Sequence, residues 1–491
     1  MMALLLFYVG LICVFAIPGN RDLEAPREVT AAKLERIRKL QAERLAREGK
    51  DQIAENLIQK LIRPRKFSPK FYAKSSTPSI PMINEKYTDV LYDGDIRLTN
   101  QQLDEMINEL DGGRKFQNRG QIKYPYYMWN KAMIPYYFDE SLPDSEARDA
   151  VRQAIKYYEE HTCLRFKELD YPVNGLAMIE FGNDDTGCNS LVGRWYYIGA
   201  QRINLGIYCR SQDIILHEIG HALGFVHTQM RPDSGSYVKP LDDNLRARYS
   251  YAFRPKFHTI DQNYSYDYMS IMHYPETAFQ TKSARRQNLP TLYALIPYYQ
   301  HLMGTTTEPS FIDLAMLNKF YRCEESCPRK LACSNGGYQN YKKCDECVCA
   351  TGFTGPHCRK RAGSENKETD CGGYFQAVPQ WTTLESNVTS KCTWWIIADE
   401  NKYIQVQFQQ YTGAYSTNCL KGGLELRFAD RLVEGFRICQ MPSTPTYVSF
   451  KRTVIINGYA EDQPQYFRLR FRQVDTTTTR TDTLPTFQNN H

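Results

Sequence analysis

The sequence has little net charge and only one long apolar run. Its 491 residues include 61 lysines and arginines and 55 acidic residues, a net charge of +6 at pH 7. A balance this even leaves no strongly basic surface for nucleic acid, so no nucleic-acid partner is expected. After the first twenty residues no stretch is apolar enough to span a bilayer. The sequence therefore predicts a mature protein without a membrane span.

The one long apolar run covers residues 3–18 and is interrupted only by Gly10. It is long for the core of a signal peptide and short for a membrane span, and polar residues follow it directly. No positive charge precedes it. We expect a signal peptide over residues 1–19, cleaved between Ala16 and Gly19, with an uncleaved anchor as the alternative.

Cysteine usage supports export. Of the fifteen cysteines, Cys13 lies in the expected signal peptide, and most of the other fourteen lie between Cys323 and Cys439. An even number crowded in this way is typical of a disulfide framework formed in an oxidising compartment. Sequons at Asn263 and Asn387 are compatible with glycosylation. We therefore expect a secreted, extracellular glycoprotein.

Changes in sequence texture divide the rest of the chain. Residues 20–119 begin with apolar residues at helical spacing and end in a basic group, and we expect this propeptide to be removed near Arg119-Gly120. Residues 120–323 mix strand-like segments such as IPYYF, LAMIEFG and GRWYYIG with a helix from about Asp144 to His161. This mixture predicts an α+β domain.

Two shorter segments follow. Residues 324–360 hold six cysteines and few apolar residues, so disulfides must hold this module together. Residues 371–475 alternate polar and apolar residues, as in YIQVQFQQY and YFRLRFRQV, which predicts an all-β sandwich. Residues 476–491 are predicted to be disordered. The expected fold class is therefore multidomain.

The strongest chemical signal is the stretch HEIGHALGFVH, which begins at His217. On a helix His217 and His221 share one face and can bind one metal ion. Gly224 is expected to end the helix, so that the chain turns and brings in His227 as the third ligand. Three imidazoles leave one position open, as at a catalytic zinc, and one zinc ion is the expected cofactor. The alternative is a buried helix with chance histidines.

Glu218 follows the first histidine and is not needed as a ligand. Beside a zinc ion that polarises the scissile carbonyl, its carboxylate would take a proton from water as general base. It would then deliver that proton to the leaving amine. The motif thus predicts a zinc-dependent peptidase.

A second motif, SIMHY, runs from Ser270 to Tyr274. With HEIGHALGFVHTQMRPD it resembles the astacin family of metzincin metalloproteases, whose long motif it matches at all but one position. The resemblance implies that Met272 forms an apolar floor beneath the zinc. It also implies that Tyr274 binds the metal at rest and swings to stabilise the oxyanion. The departure is Thr228, where the family has a glutamate that anchors the new amino terminus.

The same resemblance implies two disulfides and a substrate edge. It pairs Cys163 with Cys323 and Cys188 with Cys209. The segment GCNSLVGR resembles the family's edge strand, which binds extended peptides by strand addition.

A precursor switch is implied by the segment from Tyr92 to Ile96, YDGDI. It resembles the F-x-G-D motif of the family's propeptides, with tyrosine in place of phenylalanine. By that resemblance Asp95 binds zinc in the zymogen and displaces the catalytic water. The alternative is an ordinary Asp-Gly turn.

The trailing segments resemble known modules, an EGF-like module and a CUB domain, in an order similar to that of nematode astacins. The expected EGF-like bridges join first to third, second to fourth and fifth to sixth of Cys327, Cys333, Cys344, Cys347, Cys349 and Cys358. The expected CUB bridges are Cys371–Cys392 and Cys419–Cys439. The acidic residues that mark calcium-binding versions of either module are not recognisable, so calcium is not expected.

Two functions compete. The leading one is an endopeptidase acting on extracellular proteins or peptides, such as matrix or cuticle, after release by an activating protease. The other is a binding or adhesion protein whose EGF-like and CUB modules do the work. The joint presence of the three histidines, Glu218, Tyr274 and Asp95 favours the enzyme.

Overall fold

The structure is a computed structural model. It describes residues 26–48, 78–111, 128–195, 199–253, 264–363, 371–416, 419–428, 434–442, 445–461 and 463–475. The expected signal peptide, the cleavage region near Arg119, the sequon at Asn263 and the expected disordered tail lie outside these ranges. Within them, no helix combines the length and the apolar character needed to cross a membrane.

In its described parts, residues 26–48 and 78–111, the N-terminal segment forms helices α1 (Arg27–Glu48), α2 (Ile80–Ile83) and α3 (Asn100–Leu110). The apolar positions of α1 that showed helical spacing in the sequence pack on α3, and this pair has a small core of its own. Its buried side chains are Leu34, Ile37, Tyr92, Ile96, Leu103 and Ile107. Lys33 adds an ion pair to Asp104 at 2.7 Å. This core connects the helices directly to the Tyr92–Ile96 loop.

The next segment contains a five-stranded sheet and two long helices. The strands are β1 (Ile134–Phe138), β2 (Phe166–Glu168), β3 (Met178–Gly182), β4 (Cys188–Asn189) and β5 (Ala200–Leu205), in the order β2-β1-β3-β5-β4. All pairs are parallel except β4 with β5, so β4 is an antiparallel edge strand. Helices α4 (Ser145–His161) and α5 (Gln212–Ala222) pack against each other.

Helix α4 follows from its sequence pattern. Asp144 caps it by accepting a hydrogen bond from the Glu146 backbone N–H at 3.0 Å. Its buried side chains recur at helical spacing: Ala147, Val151, Ala154, Ile155 and Tyr158. The Tyr158 hydroxyl donates to the Leu216 carbonyl at 2.8 Å and so fixes α4 against α5.

The segment GRWYYIG is not a strand where the structure describes it, at residues 193–195 and 199, and this prediction was wrong there. Gly193 has φ +70° and donates its N–H to the carbonyl of His221 at 2.9 Å. Its own carbonyl and the Trp195 N–H bind the Gln201 side chain, at 2.8 Å each. These backbone groups, which a strand would pair with its neighbours, are therefore bonded to α5 and to the side chain of Gln201.

The rest of this domain contains a two-stranded sheet, β6 (Val238–Pro240) with β7 (Leu292–Ala294), and helices α6 (Lys282–Gln287) and α7 (Phe311–Phe320). Helix α7 begins with a capping box, because Ser310 and Asp313 each accept from the other's backbone N–H at 3.0 Å.

The cysteine-rich module has four two-residue strands: β8 (Tyr338–Gln339), β9 (Cys347–Val348), β10 (Phe353–Thr354) and β11 (Lys360–Arg361). Its disulfides are Cys327–Cys344, Cys333–Cys347 and Cys349–Cys358. It contacts the C-terminal end of α4, where Tyr341 donates to the Thr162 carbonyl and Lys342 to that of Glu160 at 2.8 Å.

The last described segment is a sandwich of two sheets, ordered β12-β14-β19-β16-β17 and β13-β20-β15-β18. Its disulfides are Cys371–Cys392 and Cys419–Cys439. It packs on the domain that contains the five-stranded sheet, where the ring centroid of Tyr298 lies 4.8 Å from that of Tyr447 in the sandwich. The strands are β12 (Gly372–Gln376), β13 (Thr382–Val388), β14 (Cys392–Ile397), β15 (Tyr403–Thr412), β16 (Gly422–Arg427), β17 (Phe436–Ile438), β18 (Thr446–Val448), β19 (Thr453–Ala460) and β20 (Gln465–Val474).

Candidate metal centre

Helix α5 positions the first two histidines. Every residue from Ile214 to Ala222 is buried, and His217 and His221 lie one turn apart on one face of the helix. The helix ends where the Gly224 N–H donates to the His221 carbonyl at 2.8 Å. Gly224 has φ +112°, a conformation that favours glycine. The chain turns there and returns with His227.

The three imidazoles converge on the carboxylate of Asp95. Its oxygens lie 3.4 Å from Nε2 of His217, 3.4 Å from Nε2 of His221 and 3.0 Å from Nε2 of His227. All four side chains are buried, and their ligand atoms lie within 4.8 Å of one another. The sequence separates Asp95 from the helix by more than a hundred residues, so only the tertiary structure brings this set together.

Two of the imidazole rings are oriented by hydrogen bonds that they donate on the side away from Asp95. Nδ1 of His217 faces the Ile271 carbonyl at 2.8 Å, and Nδ1 of His221 faces the Phe225 carbonyl at 2.9 Å. A carbonyl can only accept, so each Nδ1 carries the proton and each Nε2 presents its lone pair to the centre. In this tautomer each Nε2 can bind a metal ion.

The residues fit a zinc ion. Nε2 of His217 and of His221 and both oxygens of Glu218 are buried and have no hydrogen-bond partner among the described residues. Buried polar atoms are normally satisfied, so this concentration of unsatisfied atoms around one point indicates a metal site. Three imidazole nitrogens with one oxygen are a donor set that zinc accepts in tetrahedral geometry.

Burial sets the protonation of the centre. Desolvation lowers the pKa of His227 to about 4, which keeps this imidazole neutral. Burial raises the pKa of Glu218 well above its usual value, and the charge of Asp95 raises it further. Burial also opposes ionisation of Asp95, but the three imidazoles around it, His227 above all, outweigh this, so its pKa lies well below the usual range.

Met272 lies next to the histidine helix. It is 1% exposed, and a Cβ on Gly220 would come within 2.9 Å of its sulfur. Gly220 therefore lets the methionine approach the helix between the two histidines. The sequence does not reveal this role of Gly220, because nothing in its neighbourhood along the chain indicates the approach of Met272.

Tyr274 contacts the Tyr92–Ile96 loop, which carries Asp95 and is called the Asp95 loop from here on. Its hydroxyl donates to the backbone carbonyl of Asp93, and its ring centroid lies 4.4 Å from that of His227. A Cβ on Gly94 would lie 2.5 Å from the same hydroxyl, so glycine is required there both by this contact and by its φ of +89°.

The Asp95 loop is a tight hairpin attached to the edge strand. Tyr92 and Ile96 exchange backbone hydrogen bonds at 2.8 and 2.9 Å. Beyond them Arg97 donates to the Ser190 carbonyl at 2.9 Å, and the Ser190 N–H donates to the Asp95 carbonyl at 3.1 Å. The loop thus occupies the edge beside β4, where the resemblance places peptide substrates.

Asn84 fastens this loop and was missed in the sequence. Its Nδ2 donates to the carbonyls of Gly94 at 2.9 Å and Cys188 at 2.5 Å, and its Oδ1 accepts from the Cys188 N–H at 2.9 Å. It is fully buried. Its segment, PMINEKY, has no feature that distinguishes this asparagine from a surface residue.

A second unrecognised residue is Asp313, at the start of α7. Its carboxylate accepts from the Ser270 hydroxyl at 2.7 Å and from the Ile271 N–H at 2.9 Å. Ile271 in turn presents the carbonyl that orients His217. Asp313 therefore holds the turn that supports one metal-facing imidazole.

The remaining candidate residues of this domain are four cysteines and Thr228. Disulfides join Cys163 to Cys323, between the ends of α4 and α7, and Cys188 to Cys209, next to the edge strand. Thr228 is 8% exposed and its N–H donates to the Met272 carbonyl at 3.1 Å.

The comparisons with known proteins converge on one family. The family model for Astacin, a family of peptidases, matches residues 121–322. "Zinc metalloproteinase nas-36" of Brugia malayi is 31% identical over 441 residues, covering 82% of this chain and 74% of that protein. "Zinc metalloproteinase nas-23" of Caenorhabditis elegans is 31% identical over 424 residues, 83% of this chain and 76% of that one. "Zinc metalloproteinase nas-36" of Caenorhabditis elegans is 33% identical, and the match spans only 58% of that protein's length.

Among solved structures, the chain is similar to high choriolytic enzyme 1, a hatching enzyme zinc-protease from the medaka fish Oryzias latipes. The two are 31% identical, with a TM-score of 0.36, and the match covers 40% of this chain and 94% of that one.

Proposed function

We propose that this chain, which belongs to the astacin family of zinc metallopeptidases, is a secreted endopeptidase made as a zymogen and that Glu218 is its general base. The observation that carries the proposal is the convergence of His217, His221 and His227 on Asp95. Zinc ligation by these residues explains the unsatisfied nitrogens, and the position of Asp95 explains how the precursor is kept inactive.

The three histidines would hold the zinc, which when bound supplies Lewis acidity at the scissile carbonyl and lowers the pKa of water. Glu218 follows His217 in the buried part of α5, and neither of its oxygens has a hydrogen-bond partner among the described residues. Once the precursor segment has left, the negative charge of Asp95 no longer raises the pKa of Glu218. Its carboxylate then accepts the proton of the attacking water and passes it to the amine that leaves.

Tyr274 would donate a hydrogen bond to the oxyanion that develops on the substrate. In the precursor its hydroxyl is engaged by the Asp93 carbonyl. Departure of the loop frees this donor, vacates the fourth ligand position and uncovers the edge beside β4. One segment thus blocks three functions that the active enzyme needs.

The chain organisation supports export and activation. We assign a signal peptide to residues 1–19, a propeptide to 20–119, the peptidase domain to 120–323, an EGF-like module to 324–360 and a CUB domain to 371–475. Seven disulfides join the described segments, as expected for an extracellular protein. Extracellular proteins or peptides are the proposed substrates, and Asn387 is exposed as a glycosylation site requires.

N-terminal sequencing of the secreted protein tests the processing, and cleavage of a fluorogenic peptide library tests the chemistry. We expect a mature terminus near Gly120 and cleavage that a chelator abolishes and zinc restores. Glu218→Gln should retain zinc and lose cleavage. Retention of full activity by that variant would refute the role of Glu218, and a precursor with undiminished activity would refute the zymogen.

A further inference from the structure

The outer face of one sheet of the sandwich carries a row of three arginines. Along β20 the side chains of Phe467, Leu469 and Phe471 are fully buried. The residues between and beside them point to the opposite face because side chains alternate along a strand, and these are Arg468, Arg470 and Arg472. Alternate residues are about 6.8 Å apart, so the row extends over about 14 Å.

Two of these guanidinium groups are held in fixed orientations. Nε of Arg470 donates to Gln407 at 2.6 Å, and Nε of Arg472 donates to Gln405 at 2.9 Å. The indole of Trp381 lies over both guanidinium carbons, 4.4 and 4.5 Å from its ring. Nε and the π face are the groups engaged, so within the described residues the terminal N–H groups of this preorganised pair are left for a ligand.

The face carries excess positive charge. Within the described ranges, only Arg468 of the three is in ion-pair contact with a carboxylate, that of Glu385 at 3.4 Å. The small disulfide-rich module contacts the other sheet instead, where Trp395 donates to the Gly352 carbonyl at 3.1 Å. The row is therefore presented away from that module.

We propose that this face, defined by Arg468, Arg470, Arg472 and Trp381, binds a linear sulfated polysaccharide. A row of regularly spaced, planar guanidinium groups matches the repeated anionic groups of such a polymer. An extended acidic peptide fits less well, because β20 is paired on both sides and offers no free edge for strand addition. A glycan on exposed Asn387, on the neighbouring strand, would also crowd a broad protein partner more than a narrow chain.

Heparin fragments are the probe, titrated against the full-length protein at several salt concentrations. The double variant R470Q/R472Q should bind heparin at least about tenfold more weakly, and the slope of log K against log salt should fall by about two. The matched control R359Q/R452Q removes the same charge from exposed arginines elsewhere and should change affinity by less than about twofold.

Equal losses in the two double variants would overturn the proposal, because binding would then follow net charge alone. Equal binding of desulfated heparin would also overturn it. Displacement of heparin by polyglutamate at lower concentration than by sulfated fragments would assign the face to an acidic protein.

A separate contact links the sandwich to the metal centre. Glu434, 8% exposed and just before β17, accepts a hydrogen bond from the backbone N–H of Phe311 at 3.3 Å. Phe311 is the first residue of α7, whose first-turn N–H groups have no acceptor within the helix. A carboxylate at this end of a helix is electrostatically favourable.

The same helix end supports the zinc site. Asp313, in the first turn of α7, holds Ile271, and the carbonyl of Ile271 orients His217. Two hydrogen bonds, joined through the backbone of Ile271, thus connect the first turn of α7 to an imidazole of the metal centre. Glu434 holds the same turn from the side of the sandwich.

We infer that Glu434 is a positioning residue, so that the sandwich completes the zinc site. This rests on the proposed zinc ligation by His217. Groups that orient a metal-bound histidine typically alter metal affinity by 10–100-fold when they are lost. Glu434 acts one step further away, and we expect a loss near the lower value.

The activated full-length enzyme is compared as wild type, E434A, E434Q and the control E400A, which removes an exposed carboxylate of the same domain. E434A should release zinc to a competing chelator at about tenfold lower concentration and lose kcat with KM within twofold. E434Q keeps a carbonyl acceptor and should restore both values. Unchanged zinc affinity in E434A, or equal losses in E434A and E434Q, would overturn the inference. A wild type that binds no zinc would instead refute the proposed function.

Discussion

Replacing Asp95 by alanine separates two ways in which the precursor segment can block the enzyme. The variant D95A removes the carboxylate that lies 3.0–3.4 Å from the three imidazoles. The loop itself stays attached, because its backbone bonds to Ser190 and its contacts with Asn84 do not involve that carboxylate. We therefore expect the uncleaved D95A protein to free the fourth metal position but to keep most substrates out.

The magnitude follows from the bonds that remain. Asn84 makes three hydrogen bonds that fasten the loop to the edge strand. At about 1 kcal/mol net for each, their loss costs about 3 kcal/mol, which increases the fraction of open molecules about 100-fold. Uncleaved D95A should therefore show a small fraction of the mature activity, and the double variant N84A/D95A should show up to about 100 times more.

The assay is the hydrolysis of a fluorogenic peptide by uncleaved protein, with mass spectrometry to verify that the propeptide is intact. The matched control is N100A/D95A, since Asn100 contacts Lys33 within the precursor segment and does not touch the edge strand. It should behave like D95A. Uncleaved D95A as active as mature enzyme would refute the second block, and equal activity of N84A/D95A and D95A would refute the role of Asn84.

Three further outcomes are expected. Glu218→Gln should lower kcat by 10²–10⁴ while the zinc content measured by atomic absorption is unchanged, because only the proton acceptor is lost; loss of zinc as well would contradict this. Tyr274→Phe should lower kcat by about 10²-fold with little change in KM, since one oxyanion donor is removed, and a change in KM alone would argue against that role. Burial raises the pKa of Asp267 from 3.8 to about 8, with Asp313 and Glu434 adding to the effect. The folded state then binds a proton that the unfolded state has lost, so stability falls as pH rises between these values. Asp267→Asn should flatten this fall and raise the melting temperature more at pH 8 than at pH 5, with a gain in the free energy of unfolding of a few kcal/mol at most. An equal rise at both pH values would exclude the mechanism.

Much of the architecture follows from local pattern. Because a helix repeats every 3.6 residues, the spacing of His217 and His221 by itself puts both imidazoles on one face. The alternation along YFRLRFRQV likewise separates a core face from an outer face in β20. The predicted family, the multidomain fold with an α+β catalytic domain, and a zinc peptidase activity are confirmed.

The predicted strand GRWYYIG was wrong in its described part because its backbone groups serve a partner far along the chain. Gly193 donates to the carbonyl of His221 on helix α5 instead of to a neighbouring strand. Local strand propensity carries no information about such a contact.

The sequence by itself determined that His217, His221 and Glu218 lie on one helix and that the strands of the sandwich alternate, because each depends on residues within one helix or strand. Only the tertiary structure decided that Asn84 joins the Asp95 loop to Cys188, 104 residues further along the chain, and that Glu434 of the sandwich caps helix α7. Such contacts depend on how whole elements pack, since a hydrogen bond between distant segments has no periodicity that the chain could display.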